Sequence, residues 1–479
     1  MGSGERFYHD VSLRGPVPDR LLVRLGDPRS PDPDLARRLG EVAKSHARDF
    51  FAAGSAGFAY AQSFAWLGPL SHDEDGRHVA GALFEAWLEG HGRYAPRAWS
   101  PVLAAQRTEA MLAHAPLLLE GRDAPMREQV FGTLIRQVRH LAKSAKRAPA
   151  EGRLAASAGL MAGALALPGA GDQERAGKSA LEAALGAFAN GQLPDGLRRP
   201  GKALRLSRSL LSVRDAYRQR GLTPPPSLGE ALNVLRLLLG GLALPEGDAL
   251  AVLPDGKVGD PGVLGALSLL RRPAGDRLLS RYGYARLSGG AAAVHVDLEG
   301  AASGAFALSD GPERVVTAAG APGVGLRAVS LRMRDWTEAL SLPAAAATLD
   351  AVGFEPARIS RGDADEGASV SLVRRGPDGT HERQLFLGRN GDALLGEDEV
   401  GRGGAVYRFP LAPGTEVRLL DGRRALLVLP GGRSWRFETA HAELAAHDGV
   451  FAGGGAPRPT RQLVVTAEKP GLRWAFRRV

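Results

Sequence analysis

A chain of 479 residues is longer than one hydrophobic core usually serves, so two or three domains are expected. Its 44% hydrophobic and 24% charged residues are ordinary for a globular protein, and the absence of cysteine excludes disulfides, thiolate nucleophiles and thiolate-held metals. The net charge of +9 and pI near 10.1 point to a negatively charged partner, and because the excess is spread along the chain rather than gathered in a Lys-rich tail, nucleic acid is disfavoured.

From about residue 32 to 270 the chain reads as helices separated by Gly/Pro breaks. The segment DGRHVAGALFEAWLEGHG places Val79, Leu83, Phe84, Trp87 and Leu88 on one face at helical spacing. MREQVFGTLIRQVRHLAKSAKR does the same with Val130, Leu134, Val138 and Leu141. Further helices are predicted over 154–167, 175–189, 203–220 and 228–242, with Pro224, Pro225 and Pro226 separating the last two. Beyond about residue 281 the pattern changes to short period-two runs bounded by Gly and Asp, such as AAAVHVDLEG, RALLVLPGGRSWRFE and RQLVVTAE. Asn390-Gly391 between two apolar runs predicts a hairpin. Helices followed by strands imply separately packed domains. The expected division is an N-terminal extension over 1–34, a helical domain over 35–272 and a β-sandwich over 281–479, with the junction within 254–281.

The end of the chain carries LLVLPGGRSWRFE, RPTRQLVVT and RWAFRR, and the helical half carries, in order, VPDRLL, FAWLGPL, APRAWSPVLAAQR, APLLLEG, QLPDG, LTPPPSL and GYARLSGG. These segments, spread over nearly the whole chain, resemble the heparinase II/III-like family. The resemblance implies an α+β multidomain fold, an incomplete (α/α) toroid followed by an antiparallel β-sandwich. It also implies polysaccharide lyase chemistry, β-elimination on chains containing uronic acid. That reaction needs a donor to neutralise the uronate carboxylate, a Tyr or His to take the C5 proton, and an acid for the departing oxygen.

The sequence departs from that pattern where the family carries histidine. After QLPDG come Leu197, Arg198, Arg199, Pro200 and Gly201; Ala302, Ser303 and Gly304 precede AFALS; Pro343 and Ala344–Ala347 precede Thr348, Leu349 and Asp350; and the strand that often carries two histidines reads FPLAP, Phe409–Pro413. Two readings follow: a degenerate relative that binds an acidic glycan or a protein, or a lyase with rearranged catalytic groups. The first is favoured on the residues present.

Arg198, Arg199, Lys202, Arg205 and Arg208 cluster within eleven positions, and Arg offers a planar fork of donors that suits carboxylate and sulfate. A solvated helix face, with Leu204, Leu206, Leu210 and Leu211 behind it, is the equal alternative. Arg198, Arg199, Lys202, Tyr284 and Arg314 are the candidate binding residues, and no catalytic residue is assigned. His46, His78, His91, His114 and His140 read as surface or core-edge groups on helices. Tyr217 reads as packing, and Tyr60 and Tyr94 are placed in or near helix breaks. His295 and Asp297, two apart on a predicted strand, share a face, either as an ordered His–carboxylate pair or, more simply, on a solvated face. No histidine pair has zinc spacing, so no metal and no cofactor is expected. The stretch 318–325 reads as a loop between strands. Residues 1–25 hold no apolar run of signal-peptide length and no transmembrane run occurs, so a cytoplasmic protein is expected, periplasmic if a signal has been trimmed.

Overall fold

The computed structural model describes residues 9–27, 32–52, 57–194, 197–244, 261–267, 280–298, 304–317, 358–376, 379–401, 405–451 and 458–479. The chain divides into two compact units, Met1–Leu197 with Lys202–Leu235, and Arg198–Gly201 with Arg236–Val479. The stretches 318–325 and 343–350, and most of the predicted junction, lie outside the described residues.

The first unit is helical. Its longer helices are Pro33–Ser45 (α1), Gly76–His91 (α2), Pro101–Ala113 (α3), Ala124–Ser144 (α4), Ala150–Ala166 (α5), Gly171–Leu185 (α6), Pro200–Gln219 (α7) and Pro226–Leu242 (α8), the last running across the boundary after Leu235. Proline opens α1, α3, α7 and α8, where its fixed φ suits the first turn and its missing N–H costs no hydrogen bond. Pro226 thus starts a helix as well as ending the preceding break. Asp32 and Asp123 cap α1 and α4 by accepting from the amides of Leu35 and Met126 at 3.0 and 3.1 Å. Close packing of α5 on α3 depends on Gly159, where a Cβ would stand 2.5 Å from that of Ala105. Tyr60 lies within the short helix Phe58–Gln62 rather than in a break, and Tyr94 follows α2 in a loop.

At the centre of this unit Arg107 of α3 is fully buried. Its Nε donates to Gln137 Oε1 at 2.9 Å, and its Nη1 donates to the carbonyls of Gln62 and Ala98 at 2.7 and 3.1 Å. The rings of Trp87, Trp99 and Phe64 surround the guanidinium at 4.7–5.8 Å. Burial holds its pKa down at about 9.

The second unit carries antiparallel strands. Tyr284–Gly289 (β1), Ala292–Asp297 (β2), Phe306–Asp310 (β3) and Glu313–Val316 (β4) form one sheet in sequence order. Then come Arg358–Ala364 (β5), Gly367–Gly376 (β6), Gly379–Gly388 (β7), Ala393–Val400 (β8) and Ala405–Pro410 (β9). The last are Glu416–Leu419 (β10), Arg424–Val428 (β11), Ser434–Ala440 (β12), Glu443–Phe451 (β13), Arg458–Ala467 (β14) and Gly471–Arg478 (β15). An eight-stranded sheet runs β10-β11-β12-β15-β8-β7-β6-β5, and a smaller one runs β13-β14-β9. Alternation fixes the faces: on β8, Leu394 and Asp398 are buried while Leu395 and Glu397 face out. One core, including Trp435, Phe437, Phe409, Trp474 and Phe476, draws residues from all three sheets. Each such fully buried aromatic contributes roughly 1.5–3 kcal/mol of transfer free energy.

The hairpin predicted at Asn390-Gly391 joins β7 to β8. Its connection is four residues long rather than two, because only Gly391 takes a positive φ (68°), and its amide closes the turn on the Gly388 carbonyl at 2.8 Å. A side chain at Gly391 would also collide with the Gly289 carbonyl.

Candidate functional site: a cationic cavity and a closed sandwich

Helices α3, α5 and α7 of the first unit enclose a cavity of about 690 Å³. Lys202, Arg205 and Arg208 recur at three-residue spacing on α7, which turns all three to one side of the helix. With Arg153 of α5 they give the cavity four cationic side chains. Leu206, Leu210 and Leu211 anchor α7 through buried positions. The cluster thus pairs an apolar anchor with cationic side chains along the cavity.

Behind this wall Glu109 of α3 is 6% exposed, and its Oε2 accepts from Ser209 Oγ at 2.7 Å. Burial pushes the Glu109 carboxyl up to about 7, against the pull of Arg208 and the Ser209 hydrogen bond and with a further push from Asp27. Asp27 accepts from or pairs with His114 Nε2 at 2.9 Å, and both side chains are buried. A carboxyl poised near neutrality beside a cation-lined cavity can hold or release a proton, and its Oε1 carries no hydrogen bond.

The candidate binding residues are dispersed. Lys202 lines this cavity, half-buried, and Arg199 is exposed. Arg198 belongs to the second unit, where its Nε and Nη2 donate to the carbonyls of Tyr282 and Gly283 at 3.0 and 2.9 Å. Its Nη2 stands 3.7 Å from Asp297 Oδ1 and its guanidinium lies 5.5 Å from the centre of the Tyr284 ring, whose hydroxyl donates back to the Arg198 carbonyl at 2.9 Å. Arg198 and Tyr284 are thus brought together in a clamp. Arg314 is half-buried on β4, opposite Ser309.

Residues 271–475 match the family model described as Heparinase II/III-like, C-terminal. That part of the chain is a heparinase II/III-like C-terminal domain. Across nearly the whole chain, the protein is 25% identical to FtsZ-localized protein C of Caulobacter vibrioides, over 98% of this chain and 90% of that one. Among solved structures it is similar to a mutant of the heparan sulfate lyase HepC from Pedobacter heparinus (12% identity, 99% of this chain and 88% of that one, TM-score 0.57). It is also similar to a heparinase III (11% identity, 88% and 76%, TM-score 0.61). The heparinase toroid and β-sandwich are therefore the fold of this chain.

Within that fold His114, His140, His295 and His381 are buried. Phe409, on the strand where the heparinase II/III-like resemblance expects histidine, is 2% exposed, with its ring 5.0–6.3 Å from those of Trp474, Phe437, Phe476 and Phe306. His381 Nε2, Arg383 Nε and Trp474 Nε1 converge on the fully buried Asp398 at 2.7–2.8 Å. Burial alone pushes that carboxyl up, but Arg383 and the hydrogen bonds from His381 and Arg383 outweigh it and hold it at about 2. The same Arg383 donates through Nη1 to the Gly304 carbonyl at 2.6 Å, at the Ala302-Ser303-Gly304 site where another histidine is expected; Ala302 and Ser303 lie outside the described residues.

His295 and Asp297 require a correction. The solvated face expected for them is a buried one, with His295 fully buried and Asp297 7% exposed, because every residue of β2 is covered. Burial, then Arg286, pushes His295 down to about 3. Its ring nitrogens face the backbone of Gly241 and Ala243 without hydrogen bonds of ordinary geometry. His140, edge-to-face against Trp99 and 2.9 Å from His9, is held at about 4, chiefly by burial. Tyr217 is 4% exposed and burial raises it to about 12, as suits packing.

Glu109 and Arg107, like Asp398 and its partner Arg383, are polar groups that sequence reasoning missed. A signal existed: eight of the thirteen residues of α3 are buried, and the run PVLAAQRTEAMLA has no polar face on which to expose its charges.

Proposed function

We propose that this heparinase II/III-like protein has lost lyase chemistry and works by binding an acidic glycan. The observation that carries the reading is Phe409, an aromatic core residue where the resemblance expects histidine, packed on Trp474, whose indole N–H joins His381 and Arg383 on the Asp398 carboxylate. A buried carboxylate that already accepts three hydrogen bonds and is held at about 2 beside Arg383 is a poor base for a substrate proton. The net charge of +9 supports an acidic partner. In this proposal Arg199, Lys202 and Arg314 contact the partner's anionic groups, while Arg198 and Tyr284 hold their segment in place through the clamp.

A protein partner is the second reading, favoured by the likeness to FtsZ-localized protein C, whose name reports localisation with another protein.

The test is retention of the purified protein on immobilised heparan sulfate, with neutral dextran as control. Salt-sensitive retention, weakened at least about threefold in Arg199→Ala/Lys202→Ala, is expected. Equal passage through both columns contradicts glycan binding and leaves the protein partner as the working reading.

A further inference from the structure

The cavity of the helical unit has walls that do not suit a sugar. A pyranose carries a hydroxyl on most of its carbons, and each one buried needs a hydrogen-bond partner or costs a few kcal/mol. The walls are Val102, Leu154, Ala184, Ala187, Leu197 and Leu206. Of the described lining side chains, only Gln106 and Ser209 are polar and uncharged, and the Ser209 hydroxyl already donates to Glu109. Among the described residues no aromatic ring and no carboxylate lines the space, so they offer no stacking platform and few acceptors for sugar hydroxyls.

What the lining does offer is a strong contrast. Arg153, Lys202, Arg205 and Arg208 supply cations, and the remainder is overwhelmingly aliphatic. At about 690 Å³ the space matches a ligand of one small organic molecule rather than a polymer. Arginine and lysine suit phosphate, sulfate or carboxylate oxygens, whereas the alanine and leucine walls gain only from covering apolar surface.

We infer that this cavity is a binding site for a small amphipathic anion, with its phosphate, sulfate or carboxylate head on Arg153, Lys202, Arg205 and Arg208 and an aliphatic body against the α5–α6 alanine and leucine wall. The site goes beyond the glycan-binding role proposed above and is independent of whether that role falls to a glycan or to a protein. Three features define it: a head that must be charged, a body that must be apolar, and a single molecule per chain.

The experiment is calorimetric titration of the full chain with octyl phosphate below its micellar concentration, alongside inorganic phosphate, octanol and glucuronate. Octyl phosphate is expected to bind one to one and at least about tenfold more tightly than any of the other three, because only it uses both halves of the site. The double variant Arg153→Ala/Arg205→Ala, at exposed positions, is expected to weaken octyl phosphate about tenfold. Ala183→Phe, also exposed and lining the space, is expected to block it by filling the volume. Unchanged thermal melting establishes that each variant is folded. Glucuronate binding as tight as octyl phosphate, no octyl phosphate binding to the native chain, or binding indifferent to folded variants would each overturn the inference. Heparan sulfate retention separates the two proposals: losing it while octyl phosphate still binds removes the glycan reading and leaves this one standing.

Discussion

The sandwich and the helical unit bury charge in opposite ways. In the sandwich, Asp310 and Asp398 are both fully buried, and each is surrounded by donors: Arg478, Arg433 and Trp435 for the first, Arg383, His381 and Trp474 for the second. In the helical unit, Arg107 is buried with neutral acceptors and aromatic rings, and Glu109 with a single hydroxyl. Asp398 is therefore held ionised, at about 2, while Glu109 sits near neutrality beside the cavity. Charge neutralised at close quarters builds a framework; charge left partly compensated is available to respond to a ligand or to pH.

The largest expected effect breaks a sandwich knot. Asp398→Ala leaves Arg383 buried without its carboxylate and is expected to cost about 3–5 kcal/mol, measured by denaturant unfolding followed through tryptophan fluorescence. A cost under about 1 kcal/mol would remove the distinction between the two units.

Next in size are pH effects of opposite sign. Glu109 is raised from 4.5 to about 7, so the folded helical unit holds a proton that the unfolded chain releases between those values. Its stability is expected to fall by up to about 1.4 kcal/mol per pH unit as pH rises through that window. His295 is depressed from 6.5 to about 3, so the unfolded chain takes the proton first, and the sandwich is expected to lose stability at a similar limiting slope as pH falls below 6.5. Hydrogen exchange read separately for the two units checks both signs, and Glu109→Gln and His295→Leu should flatten their respective profiles.

The smallest effect sharpens the role of Arg198. Its Nε and Nη2 each donate to a main-chain carbonyl, so Arg198→Ala is expected to destabilise the second unit by about 1–2 kcal/mol. Retention on heparan sulfate should change much less than in Arg199→Ala/Lys202→Ala. The reverse ranking would make Arg198 a ligand contact rather than a clamp.

Much of the architecture was legible in the sequence because both periodicities survive burial. The 3.6-residue pattern of α2 and α4 and the alternation along β8 and β12 each report which side of an element is covered. The heparinase II/III-like resemblance supplied the toroid and sandwich as a pair, and the basic spacing on α7 marked a wall of the cavity. What was not legible depends on neighbours distant in sequence. Nothing within AAAVHVDLEG shows that β2 is covered on both faces, so His295 reads as solvated. Nothing in APRAWSPVLAAQR shows that Trp87 and Gln137 will enclose Arg107. Glu109 meets Ser209 a hundred residues away, a contact that no local pattern encodes.

The measurement that tests the central claim most directly is a lyase assay. Purified protein at high concentration is incubated with heparan sulfate, hyaluronate and alginate, and the ultraviolet absorbance of the unsaturated product is followed across neutral and mildly alkaline pH. A flat trace with all three polymers, from protein that is folded and retained on heparan sulfate, is the predicted result. A rise that scales with protein concentration and vanishes on heat denaturation would contradict it, and would require a base outside the His381–Asp398–Arg383 knot.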